Sequence, residues 1–101
     1  MKVDKFQDKA KKTARYTKGS TPGLVPTIWV CEESSEVLKE YRQALSRDMP
    51  LNEQNVREEI GDVLIALAHL CNEMGYDLND IMKEAVDKQQ KRFDDSTEQQ
   101  T

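Results

Sequence analysis

The sequence predicts an all-α protein, an antiparallel helical bundle of about four helices completed by homo-oligomerisation. Charged residues make up 34% and hydrophobic ones 37%, with only 4 Gly and 3 Pro. That mixture suits amphipathic helices better than a sheet, which draws on more β-branched, aromatic and turn residues. Apolar residues also recur at three- and four-residue steps in four stretches parted by breaker segments. Finally, 101 residues make one domain, and a domain of that size hides only about 60–65% of its unfolded surface. A second copy would help cover the rest.

The first helix is expected over about residues 3–16, where Phe6, Ala10 and Ala14 form a narrow apolar stripe. The segment Thr17-Lys18-Gly19-Ser20-Thr21-Pro22-Gly23 cannot continue it. Pro26 suits the first turn of a second helix, where an N–H has no intrahelical partner. That helix runs to about Ser46 on an apolar stripe of Val30, Val37, Leu38, Tyr41 and Leu45. Arg47 to Pro50 form a loop, Asn52 is the N-cap of a third helix, and Glu53 suits its positive end.

The third helix carries the widest apolar face, from Val56 and Ile60 through Val63, Leu64, Leu67, Leu70 and Cys71 to Met74. Gly75 ends it as a left-handed cap. Asp77 caps the fourth, with Ile81, Met82, Ala85 and Val86 expected to face inward. Residues 1–93 form the domain, and the polar stretch 94–101 reads as a disordered tail. Short connections between helices two, three and four imply antiparallel neighbours.

The net charge of −4 hides a split. Residues 1–18 hold seven Lys/Arg against two Asp, a net of +5, leaving −9 for the rest. A basic arm beside an acidic body suits nucleic acid or a polyanionic small ligand held beside metal-binding carboxylates. A pI near 5.0 makes nucleic acid unlikely as a partner of the whole chain. Cys31 and Cys71 belong to no metal-binding or redox spacing, so both are expected as reduced, buried thiols. The longest apolar run, Val63 to Ala68, is far short of the roughly 20 residues of a membrane span, so the chain is expected to be cytoplasmic.

Chemistry concentrates in the acids of helices two and three. At roughly 100° per residue, Glu33, Glu36 and Glu40 share one face, and Glu59 and Asp62 share another. Ile60 and Val63 lie close to that second pair, which therefore borders the apolar stripe and meets a facing helix. Carboxylates converging there repel unless a cation lies between them. Mg²⁺ or Mn²⁺ is the natural occupant for such oxygen ligands. A single such pair is usually a solvated face; two on adjacent helices weigh against that reading. Ferritin-like di-iron chemistry needs a Glu-x-x-His from each of two helices. His69 is the only histidine and has no Glu three residues before it, so that chemistry fails within one subunit.

The pattern Glu32-Glu33-x-x-Glu36, then Glu59-x-x-Asp62 within Glu58-Glu59-Ile60-Gly61-Asp62-Val63-Leu64, resembles the paired signature of MazG-like nucleotide pyrophosphohydrolases. The likeness continues through Asn72-Glu73-Met74-Gly75-Tyr76-Asp77-Leu78 to Lys91-Arg92-Phe93, covering roughly residues 26–93. It implies an all-α enzyme that splits a (deoxy)nucleoside triphosphate into the monophosphate and pyrophosphate, working as a homodimer or homotetramer. It further implies Glu33, Glu36, Glu59 and Asp62 as Mg²⁺ ligands, with Glu32 or Glu40 assisting catalysis from outside that set. Many relatives carry a Lys and an Asn in the last helix where this chain has Ala85 and Gln89, and small residues where it has Ser34 and Ser35.

Other residues carry two readings each. Lys88, Lys91 and Arg92 suit either triphosphate contact or solvated charge at a helix end. Lys9, Lys12 and Arg15 could reach a phosphate, though a solvated face is the commoner fate. Trp29, four residues before Glu33, could stack on a nucleobase or anchor the core. His69, on nearly the same face as Asp62, reads as a satisfied structural histidine rather than a general base. Tyr41 and Tyr76 read as packing residues. Competing with the enzyme is a non-catalytic, nucleotide-sensing or regulatory dimer, against which the presence of all four expected ligands argues.

Overall fold

The computed structural model describes residues 1–99, which among them hold four helices and no strand. They are α1 (Val3–Lys12), α2 (Leu24–Ser46), α3 (Glu53–Met74) and α4 (Leu78–Gln99). At 1.5 Å per residue, the three longer helices are each about 33–35 Å long.

α1 stops four residues earlier than its periodicity suggests. The Thr13 hydroxyl donates to the Lys9 carbonyl (2.7 Å), satisfying a terminal acceptor. The chain then turns away toward Tyr16, whose hydroxyl is bonded to Glu73 on α3. α2 begins after Gly23, which adopts φ 81°. A Cβ there would lie 2.9 Å from Leu70 Cδ1 and 3.0 Å from Met74 Sδ, so both backbone and packing require glycine. Pro26, third in the helix, is fully buried.

Both boundaries of α3 agree with the sequence. The Asn52 side chain accepts from the Asn55 N–H (3.1 Å), and Gly75 is left-handed at φ 70°. α2 and α3 pack along one another as an antiparallel hairpin, and α1 crosses α3. Their shared core is made of small side chains, Ala10, Ala66, Ala68 and Cys71, with His69 also buried. Small residues let the backbones approach closely but remove little apolar surface from water.

Three sequence expectations change here. Cys31 is exposed, because it lies on an outer α2 stripe with the exposed Leu24, Ile28 and Leu38 that no element covers among the described residues. α4 packs on α1 rather than along α3, so Met82 and Val86, expected inside, are 46% and 64% exposed. Residues 94–99, assigned to a disordered tail, continue α4, where Gln90 Nε2 bonds Asp94 Oδ1 (3.0 Å) and Thr97 Oγ1 bonds the Phe93 carbonyl (3.0 Å). Polar composition does not forbid a helix that propagates from one already nucleated. The remaining two residues of that stretch, 100–101, lie outside those described.

One polar knot sets where α4 leaves. Gln7 Nε2 donates to Asn72 Oδ1 (3.0 Å) and to the Tyr76 carbonyl (2.8 Å), while Gln7 Oε1 accepts from the Leu78 N–H (2.9 Å). Asn72 Nδ2 returns a bond to the Gln7 carbonyl (3.2 Å). The result is open: the radius of gyration is 17.2 Å, against about 13 Å for a compact chain of this length. The accessible surface is 8096 Å², against about 5,800 Å² expected for a monomer of this mass.

Candidate metal centre

The antiparallel α2–α3 hairpin puts the N-terminal half of α3 against the middle of α2. Its register brings a carboxylate oxygen from each of Glu33, Glu59 and Asp62 within 4.8 Å of one another. Glu33 and Glu59 are half-buried and Asp62 is exposed, so the cluster opens to solvent on one side. Glu36 stands close enough for its charge to act on Glu59, and its own nearest cation is Lys39 at 3.9 Å.

The acids hold the Glu59 carboxyl above its ordinary range. Loss of solvent is the first cause, followed by the charges of Asp62, Glu33 and Glu36 and a hydrogen bond with Glu33. Every charge that shifts Glu59 is another acid. Oxygen ligands alone, in excess negative charge and open on one side, fit a hard divalent cation such as Mg²⁺ or Mn²⁺.

Beside the acids lies a cavity of about 360 Å³, lined by Trp29, Glu32, Glu33, Asp62, Ile65 and Ala66. Its lining thus combines carboxylates with aromatic and aliphatic side chains. The Trp29 indole meets the Tyr16 ring edge-on at 4.6 Å between centroids, and His69 lies 6.1 Å from Trp29 and 5.1 Å from Tyr16. Trp29 therefore packs in an aromatic cluster, as the anchoring reading expects, and also lines the cavity beside the acids.

The other candidate residues fall elsewhere. Glu40 faces Asn55 Nδ2 at 3.5 Å and lines a separate cavity with Gln43 and Arg47. Lys88, Lys91 and Arg92 lie on the exposed length of α4, while the cluster is built on α2 and α3. Lys12 pairs with Asp8 (2.8 Å) on the surface of α1. His69 is 7% exposed, and its Nδ1 is buried without a partner, so it is structural but not satisfied. Burial lowers its basicity, partly offset by Glu73.

Tyr16 and Glu73 are the residues that sequence reasoning missed. The Tyr16 hydroxyl and the Gly23 N–H (2.9 Å) both donate to the Glu73 carboxylate, which lowers its pKa. The Tyr16 phenol is pushed up to about 12 by burial, then by the bond to Glu73 and its charge. A signal existed. Glu59, Asp62, Ala66, His69 and Glu73 follow three- and four-residue steps, so Glu73 shares the inward face and must find donors there.

Fold and site together define an all-α protein with an acidic centre on a two-helix hairpin. The family model described as the MazG nucleotide pyrophosphohydrolase domain matches residues 26–96, and the chain belongs to that family. The match passes Phe93 and enters the last turns of α4. No curated protein and no solved structure matches the chain significantly.

Proposed function

We propose that the chain is a Mg²⁺-dependent nucleoside-triphosphate pyrophosphohydrolase, with Mn²⁺ as a substitute, converting a (deoxy)nucleoside triphosphate into the monophosphate and pyrophosphate. The observation that carries this reading is the convergence of Glu33, Glu59 and Asp62 within 4.8 Å, inside the matched family domain. Those three and Glu36 would hold the ion, with Glu32 assisting from the cavity rim. Glu40, bonded toward Asn55, is the weaker candidate for that assisting role. When bound, the ion neutralises phosphate oxygens and acidifies a water for in-line attack.

The residues of the chain divide the remaining work. The acids must be ionised to bind metal, so metal binding opposes the upward shift of Glu59. Trp29, Ile65 and Ala66 give the cavity a face suited to a nucleobase. Among the described residues, no helix is long and apolar enough to cross a membrane.

Positive charge for the triphosphate is scarce on the hairpin itself. Lys88, Lys91 and Arg92 would supply it from a neighbouring subunit, in a homodimer or homotetramer. The bare face of α4 and the excess accessible surface support this assembly. A panel of nucleoside and deoxynucleoside triphosphates with Mg²⁺, scored for pyrophosphate, tests the activity. Release from at least one is expected; release from none overturns it in favour of a nucleotide-sensing dimer. Sedimentation equilibrium at micromolar concentration tests assembly, and a single species near 11.6 kDa would overturn it.

A further inference from the structure

The loop between α1 and α2 is tied to α3 at one residue. Glu73 accepts from the Tyr16 hydroxyl near the start of that loop and from the Gly23 N–H (2.9 Å) at its end. A single carboxylate thus fixes both ends of a segment with no regular secondary structure of its own. The Gly23 bond needs the left-handed backbone that only glycine adopts there without clashing with Leu70 and Met74.

Tying the loop has a consequence for the cavity. With its hydroxyl bonded, the Tyr16 ring lies edge-on against Trp29 at 4.6 Å, and His69 completes the packing. The indole is therefore wedged between loop and α3, and it also lines the cavity that Glu33 and Asp62 line. Neither Tyr16 nor Glu73 lines that cavity.

We propose that Tyr16 and Glu73 form a clasp that positions Trp29 as the nucleobase-facing wall of the carboxylate cavity, making both of them positioning residues for substrate binding. The metal ligands are independent of the clasp, because Glu33, Glu59 and Asp62 are held by the α2–α3 hairpin. This inference rests on the proposed pyrophosphohydrolase activity for its substrate and on geometry alone for the placement of Trp29.

Trp29 is the sole tryptophan, so its fluorescence reports the clasp without any turnover. In full-length protein, Tyr16→Phe removes only the hydroxyl and Glu73→Ala removes the acceptor, whereas Glu73→Gln keeps one oxygen to accept from the Gly23 N–H and an amide N–H₂ able to donate to the Tyr16 oxygen. Tyr16→Phe and Glu73→Ala should raise acrylamide quenching of Trp29. They should raise KM for the four deoxynucleoside triphosphates roughly two- to tenfold, the worth of one aromatic packing contact. Turnover at saturation and Mn²⁺ affinity should hold, and Glu73→Gln should restore quenching and KM toward wild type. Unchanged quenching and KM in a folded Tyr16→Phe protein overturn the clasp, as does a fall in turnover with KM unmoved. If Glu73→Ala fails to fold, Tyr16→Phe and Glu73→Gln still decide the matter. Wild-type protein that hydrolyses no nucleoside or deoxynucleoside triphosphate of the panel overturns the activity instead, and the quenching arm then decides the clasp by itself.

Discussion

Glu59 and Glu73 stand on the same helix and nearly the same face, about 21 Å apart along its axis. Their environments push them in opposite directions. Glu73 receives a phenol hydroxyl and a backbone N–H, which favour its ionised form. Glu59 receives only the company of other acids and loses water, which disfavours its ionised form. One carboxylate is completed by the fold and serves the structure. The other is left incomplete, and an incomplete buried-edge carboxylate is a place for a ligand. The same amino acid is thus a joint at Glu73 and, in the proposed reading, a metal ligand at Glu59, according to which donors the tertiary structure delivers.

The sharpest way to break that contrast is to neutralise each acid. Glu59→Gln and Asp62→Asn should lower pyrophosphate release on the order of a hundredfold or more, since both would remove a charge from the proposed metal shell. In EDTA the same two proteins should melt higher than wild type, because they relieve repulsion among the acids. Glu73→Gln should retain turnover. A metal-free melting temperature that falls in Glu59→Gln would show that Glu59 is already partnered.

Metal addition is the next largest effect. Mg²⁺ at a hundred times its dissociation constant should stabilise the wild type by about 2.7 kcal/mol through preferential binding to the folded state. Differential scanning calorimetry with and without EDTA reads this as a rise in Tm. The rise should vanish in Glu59→Gln and survive in Glu73→Gln; survival in both would move the ion away from the cluster.

Gln7 sharpens the comparison at the C-terminal end of α3. Gln7→Ala strips the donors and acceptor that join Asn72, Tyr76 and Leu78, leaving the Leu78 N–H without a partner at the start of α4. A cost of about 1–3 kcal/mol is expected in urea denaturation. Hydrogen exchange should quicken first in the initial turn of α4, with the carboxylate cluster unaffected.

The smallest effects come with pH in metal-free protein. The folded pKa of Glu73 lies below its ordinary 4.5, so its contribution is present above 4.5 and lost as pH falls through the folded value. That of Glu59 lies above 4.5, so the penalty of its ionised form operates above the folded value and is gone below 4.5. His69 is lowered from 6.5, so acidification through 6.5 costs stability. Thermal melts from about pH 7 to about pH 3 should therefore show Glu59→Gln losing more stability than wild type and Glu73→Gln losing less. Parallel curves for all three would mean that the two carboxylates do not differ.

Much of this architecture is local and was legible in the sequence. Asn52 and Gly75 bound α3 because capping needs only one side chain and one backbone angle. The helical spacing of Glu33, Glu36, Glu59 and Asp62 placed acids on facing sides of a hairpin, and their motif matched the family. Other features depend on partners distant in sequence. Periodicity carried α1 to residue 16, but the long-range bond from Tyr16 to Glu73 turns the chain after Lys12. Composition predicted a disordered end, yet α4 continues into it as far as Gln99 from a start tied by Gln7. The stripe on α4 revealed an amphipathic helix without saying what would face it, and within one chain Val86 and Phe93 face water. Helical spacing determines which residues share a face, through a fixed rotation per residue; which face meets which was decided only by the tertiary structure, because that depends on where hydrogen bonds across more than fifty residues bring the helices together.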